Sequence, residues 1–182
     1  MNVPKRKVIA FCGFEQTGKD YSCRRLITTM GFEKVAFADA LREVAFNITG
    51  FPIEEGMVKY EDLKKTELIN GLTFRNILEN LGSSIRKYDK DFWAKTVIVK
   101  IKETYKNVCI SDLRYRNEYI VLKKFCDAND IEFQLVFCDY KSNGYNDKNP
   151  HESAKLARYL KDIGYEDQDI VKHEDIIAYT GG

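Results

Sequence analysis

An α/β fold with a parallel sheet flanked by helices in three layers, and with a helical lobe inserted into it, is predicted by three observations. Short apolar, β-branched runs alternate with segments of helical spacing, the pattern of strands joined by crossover helices. The first such strand, VIAFC (Val8–Cys12), runs straight into GFEQTGKD (Gly13–Asp20), a glycine-bounded turn that opens a helix. About sixty residues of helical character separate the second strand from the third, too many for a simple crossover.

The turn at Gly13 carries the first functional expectation. Two glycines let successive backbone N–H groups curl toward an anion, and the helix that follows adds the positive end of its dipole. Lys19 brings a mobile cation for the outer phosphates of a nucleotide. Where the common form of this motif ends in Ser or Thr, the chain has Asp20, an oxygen ligand suited to Mg²⁺. Gly13, Glu15, Thr17, Gly18, Lys19 and Asp20 are therefore the expected ATP-binding residues.

The elements follow in order. Lys19 to Met30 is predicted helical, with Cys23, Leu26, Ile27 and Met30 on one face and Gly31 as the stop. Lys34 to Ala38 is the second strand. A helix with the stripe Leu41, Val44, Ala45 and Ile48 ends at Gly50 and Pro52. Glu61 to Ile69 is a short helix. Thr73 caps a helix carrying Phe74, Ile77, Leu78 and Leu81. In the next segment the run TVIVKI also suits a strand, but Ala94, Val97, Ile98, Ile101 and Tyr105 repeat at helical spacing and decide for a helix, with Asp91 as its cap. Asn107 to Ser111 and Phe133 to Cys138 are buried strands with a helix, Asn117 to Ala128, between them. Asp139 to Pro150 is a polar loop long enough to act as a lid. A helix from His151 or Glu152 to Asp162 and a last strand, Asp175 to Thr180, complete the chain.

Composition narrows the function classes. Lys and Arg number 29 against 28 Asp and Glu, so the net charge of +1 gives no global field for polymeric nucleic acid. Hydrophobic residues make up 44% of the 182 and charged residues 31%, the balance of a soluble globular domain. The apolar runs are too short to span a membrane. The five cysteines form no C-x-x-C pair, so neither a zinc site nor a disulfide framework is implied, and a reducing cytoplasm is the expected location. A homodimer is a candidate assembly.

Ligands of parallel sheets bind beyond the carboxyl ends of the strands, where Gly13, Asp39, Asp112 and Asp139 fall. Asp112 is placed to hold Mg²⁺ with Asp20, or else to cap the next turn. Arg114 is a candidate for neutralising a transferring phosphoryl group, whereas Arg116 suits a solvated surface. Arg42, Arg75 and Arg86 are cations of the inserted lobe.

These pieces, in this order, resemble the deoxynucleoside monophosphate kinases of bacteriophages, within the P-loop nucleoside monophosphate kinases. The resemblance covers Val8 to about Leu156. It lies in GFEQTGKD, in FADALRE (Phe37–Glu43), in FRNILENLGSSIRKYDKDFW (Phe74–Trp93), in SDLRYRNE (Ser111–Glu118) and in HES (His151–Ser153). It implies a single P-loop kinase domain with a three-layer fold, an acceptor-binding insertion at about 40–105 and a lid at about 139–150. The implied reaction moves the γ-phosphoryl group of ATP to a (deoxy)nucleoside 5′-monophosphate, with Mg²⁺. Lys19 and Arg114 become the catalytic residues, and Asp20 and Asp112 the metal residues. Asp39, Arg42, Arg75, Gly82, Trp93 and Glu118 are implied at the acceptor; Trp93 serves equally as a core residue. The host cytoplasm is the implied location for a phage protein. The chain departs from the family pattern at Ala154, in a lid with Lys141 and Lys148 but no Arg, and in the ending DIIAYTGG. The alternatives are another small-molecule P-loop kinase, of the phosphomevalonate kinase kind, or a non-catalytic nucleotide-binding module. A GTPase switch lacks its Asn-Lys-x-Asp and Asp-x-x-Gly signatures here.

Overall fold

The computed structural model describes residues 5–14, 17–50, 67–69, 71–138, 156, 159 and 170–172. Within them the chain forms an α/β sheet flanked by helices. β1 (Lys7–Gly13), β2 (Glu33–Lys34), β5 (Val108–Ile110), β6 (Glu132–Cys138) and β7 (Ile170–Lys172) make one sheet in the order β2-β5-β1-β6-β7. Every neighbouring pair is parallel. β1 lies at the centre, with Val8 opposite Val108 on one side and Lys7 opposite Glu132 through Gly13 opposite Cys138 on the other. A central parallel strand is covered on both faces, so it reads as a continuous apolar run, and Val8 to Cys12 are all buried.

α1 (Lys19–Met30) lays Cys23 and Leu26 onto the sheet against Ile9, Phe11, Cys109 and Val136. Gly31 ends it at φ 68°, where its N–H donates to Ile27 O and the N–H of Phe32 to Leu26 O, closing the orphan carbonyls of the last turn. Ile27 is only partly buried, and Met30, expected on the packed face, is exposed. β2 is shorter than the predicted Lys34–Ala38. After Val35 donates to Cys109 O, the amide of Phe37 is taken by Asp112 Oδ1, and the chain turns into a helix.

The chain divides into two compact units: Met1–Phe37 with Ala94–Gly182, and Ala38–Trp93. In the second lie most of α2 (Phe37–Thr49), a two-stranded antiparallel ribbon of β3 (Glu67–Ile69) and β4 (Leu72–Thr73), and α3 (Phe74–Tyr88). The expected helix at Glu61–Ile69 is corrected where it is described: Glu67–Ile69 is a strand, paired through a short turn at Gly71. Among its described residues this unit has a core of its own. Ala45 and Phe74 are buried, with Phe46, Leu68, Ile77 and Leu78 packed around them and the Phe46 and Phe74 rings 4.9 Å apart. Val44 and Ile48, two members of the expected stripe, are exposed. Thr73 does cap α3. Its Oγ1 accepts from Asn76 N, and Asn76 Oδ1 accepts in return from Thr73 N, a reciprocal capping box with Asn in place of the usual Glu.

TVIVKI lies inside a helix, α4 (Phe92–Glu103), with Ala94, Val97 and Ile101 buried. Tyr105, the fifth member of the expected stripe, lies beyond the helix end and is fully exposed. α5 (Arg116–Ala128) connects β5 to β6. Leu156 and Tyr159 are helical. The strand β7 at Ile170–Lys172 is absent from the sequence reading, and the predicted lid, His151 and the Asp175–Thr180 strand lie outside the described residues. No described helix is long and apolar enough to cross a membrane. All five cysteines are free and buried.

Candidate active site

The turn after β1 is built by close backbone approach. Gly13 has φ 146°, and a Cβ there would stand 2.3 Å from the carbonyl oxygen of Cys138 and 2.8 Å from Thr17 Oγ1. Glycine is therefore obligatory where the loop leaves the sheet. Thr17 is fully buried and its hydroxyl donates to Phe14 O at 2.8 Å, stapling the turn from inside. Gly18 (φ 88°) turns the chain into α1, and Ser22 Oγ adds a bond to Gly18 O. Ser22 is a supporting residue that motif reading does not single out. Glu15 and Gln16 lie outside the described residues.

Lys19 folds back over this turn. Its ammonium donates to Gly13 O at 3.2 Å and to Phe14 O. Burial holds its pKa below the ordinary 10.5, and the nearby positive charge of Arg114 acts in the same direction, while Cys138 and Asp20 oppose them. Thr17, Gly18, Lys19, Asp20 and Tyr21 line an open pocket of about 310 Å³. Asp20 opens α1 with its side chain largely in solvent, and Lys34 Nζ stands 3.6 Å from its Oδ1.

The neighbouring strand β5 ends in a second turn, Ser111–Tyr115. Asp112 Oδ1 accepts the N–H of Phe37 at 3.0 Å, so this carboxylate closes the start of α2. Leu113 is buried. Arg114 is exposed, and its backbone N–H and that of Tyr115 both donate, at 3.1 Å, to Glu118 Oε2. Glu118 itself is only 2% exposed. Glu118 thus meets Arg114 at its backbone amide. Arg116, expected as a solvated cation, lies over the ring of Tyr159, 4.7 Å from its centroid.

Lys19, Asp20 and Arg114 thus share one neighbourhood. Of the residues expected at the acceptor, Asp39, Arg42, Arg75, Gly82 and Trp93 are spread over the Ala38–Trp93 unit, whereas Glu118 lies on α5 in the other unit. Arg42 Nη1 pairs with Asp39 Oδ1 at 2.9 Å within the first turns of α2. Arg75, on α3, is largely exposed and stands 3.5 Å from Glu79. Gly82 is a packing position, since a Cβ there would meet Leu41 and Arg86 at 3.4 Å. Trp93 is buried with its Nε1–H donating to Gly82 O and its ring edge-on to Phe92, which is the geometry of a core tryptophan rather than a base-stacking one.

No group of three or more His, Cys, Asp and Glu among the described residues forms a metal cage. Asp20 offers a largely exposed carboxylate beside Lys34, and Asp112 accepts the N–H of Phe37 on its Oδ1. Such a donor set fits Mg²⁺ held mainly by water and phosphate oxygens, as this ion prefers.

No family model matches the chain, and no curated protein matches it. Solved structures similar to it include the APS kinase CysC of Mycobacterium tuberculosis (Cys556Ala mutant), 16% identical with TM-score 0.40, covering 90% of this chain and 99% of that one. A gluconokinase from Sinorhizobium meliloti 1021 is 14% identical with TM-score 0.42, covering 93% and 83%. A sugar kinase from Janibacter sp. HTCC2649 is 13% identical with TM-score 0.42, covering 97% and 92%. At such similarity the functional reading is carried by the residues of this chain.

Proposed function

We propose that this protein is an ATP-dependent phosphotransferase that moves the γ-phosphoryl group of ATP to a nucleoside 5′-monophosphate, with deoxynucleotides as the first candidates. The observation that carries the reading is the turn after the central strand: an obligatory glycine, a buried threonine staple and an ammonium folded over the loop at the start of α1. Phosphate oxygens offer Lys19 partners of full negative charge where it now has neutral carbonyls, and charge-assisted bonds are the stronger ones. Phosphoryl transfer needs positioning and charge neutralisation more than covalent help. In this reading Gly13, Glu15, Thr17, Gly18 and Lys19 hold the donor phosphates. Arg114 contacts the transferring group through its planar fork. Asp20 and Asp112 would hold Mg²⁺, directly or through water, and the ion would supply charge neutralisation at the phosphates.

The acceptor is assigned to the Ala38–Trp93 unit from the resemblance noted in FADALRE and in the segment that follows Thr73. Asp39 and Arg42 are the preferred contacts, because Arg42 is half-buried and already oriented by Asp39. Arg75 is the weaker candidate, being exposed and paired to Glu79. The commitment of Trp93 to the core favours a second reading, a kinase acting on another small phosphorylated acceptor, since it removes an aromatic platform for a base.

A coupled assay of ADP release, run with ATP–Mg²⁺ and each common ribo- and deoxyribonucleoside monophosphate in turn, tests the proposal. Release that depends on one or a few monophosphates is expected. Release driven only by other phosphorylated small molecules selects the second reading, and no release with any acceptor removes both.

A further inference from the structure

We infer that Glu118 is a positioning residue of the phosphotransfer site, a buried carboxylate that fixes the backbone of the Ser111–Tyr115 turn and so aims Arg114. This rests on the function proposed above. One carboxylate oxygen, Oε2, accepts the consecutive amides of Arg114 and Tyr115, both at 3.1 Å. Consecutive N–H groups converging on one atom force the backbone to curl around it, as in an anion-binding nest. The carboxylate sits in the first turn of α5, where the helix dipole favours negative charge. It is 2% exposed, and those amides are among the partners that compensate a charge removed from water.

The turn is pinned at three successive points. Asp112 is tied to Phe37 N–H, the side chain of Leu113 is buried, and the amides of Arg114 and Tyr115 are tied to Glu118. Between these pins the side chain of Arg114 is exposed. Its charge is close enough to Lys19 to be felt by that ammonium. The resemblance implies acceptor contact for Glu118, but a carboxylate buried on its own turn does a different job. It leaves substrate untouched and determines where a catalytic guanidinium stands.

The test separates these roles. Glu118→Gln keeps an oxygen that accepts both amides, so kcat should stay within about threefold of wild type. Glu118→Ala should lower kcat by about 10- to 100-fold, the cost of misplacing a catalytic group by about an ångström, with the KM for ATP and for the monophosphate little changed. Glu118→Asp, one methylene short, should fall between them and serves if the alanine variant does not fold. Amide hydrogen exchange, read by NMR, should find the Arg114 and Tyr115 amides protected in wild type and Glu118→Gln, and open in the alanine or aspartate variant. A raised monophosphate KM in Glu118→Gln would assign Glu118 to the acceptor and overturn the inference. Wild-type kcat per folded molecule in Glu118→Ala or Glu118→Asp, or unprotected Arg114 and Tyr115 amides in wild type, would overturn it too. Absence of phosphotransfer in wild type is a failure of the proposed function, and the exchange data then still decide whether Glu118 holds the turn.

Discussion

The turn after β1 and the turn after β5 end neighbouring strands, yet different chemistry shapes them. The first is made by the backbone. Gly13 passes so close to Cys138 that no side chain fits, and Lys19 lies along carbonyls of its own loop. The second is made by carboxylates, with Asp112 tied to Phe37 and Glu118 tied to Arg114 and Tyr115. In the proposed function the backbone-made turn would bind the constant part of a nucleotide, the phosphate chain, with donors that cannot move far. A turn held by side chains can present a long, solvated group, here Arg114, whose reach matters in the transition state. The difference predicts a division of labour: the β1 turn holds, and the β5 turn stabilises developing charge.

The largest effect should come from Lys19. Lys19→Ala removes the cation from the β1 turn and should lower kcat/KM by about 10³-fold, the upper end for loss of one preorganised donor. ATP affinity by calorimetry should fall with it, while the melting temperature stays close to wild type. Unchanged ATP binding in a folded variant would take the donor phosphates away from this turn.

Arg114→Ala should come next, with kcat down by about 10²-fold and the Kd for ATP changed by a few-fold at most. Arg114→Lys keeps the charge and loses the two-pronged fork, so it should recover only part of the loss. Equal losses in Kd and kcat would make Arg114 a second donor-binding residue and erase the contrast between the turns.

Legibility in the sequence follows the same contrast. A turn made by glycines announces itself, because Gly13 and Gly18 are spaced for it and Lys19 follows. The strands around it are legible for a related reason: parallel strands buried on both faces, such as Val8–Cys12 and Val108–Ile110, leave unbroken apolar runs. What side chains build is less visible. SDLRYRNE shows an acid, an arginine and a glutamate, but not that Glu118 turns back onto amides or that Asp112 reaches Phe37, 75 residues earlier. A helical stripe does not guarantee that each of its members is buried, as the exposed Val44 and Ile48 show. Trp93 gave no sign of its partner, since the Gly82 carbonyl it binds is a backbone atom.

The smallest effect is a dependence on pH, and its sign is fixed by Lys19. Its folded pKa lies below 10.5 because burial penalises the ammonium. The unfolded chain therefore binds this proton up to a higher pH than the folded one. Lys19 costs folding stability below its folded pKa, and that cost fades as pH rises toward 10.5. Phosphate binding needs the charged form, so ATP affinity should be full below the folded pKa and decline as pH rises through it. Thermal melts and calorimetric titrations on the alkaline side should thus trend in opposite directions at this residue, and Lys19→Met should lose both trends. A parallel decline of both in the variant would point to other groups.

The central claim is that the two turns act on one bound nucleotide, and a double-mutant cycle in kcat/KM with Lys19→Ala and Arg114→Ala tests it most directly. Groups that serve one transition state are strongly non-additive. The account predicts that adding Arg114→Ala to Lys19→Ala costs less than about tenfold further, although alone it costs about 10²-fold. A second full loss of about 10²-fold in the Lys19→Ala background would mean that the two residues act independently, and would contradict the shared site.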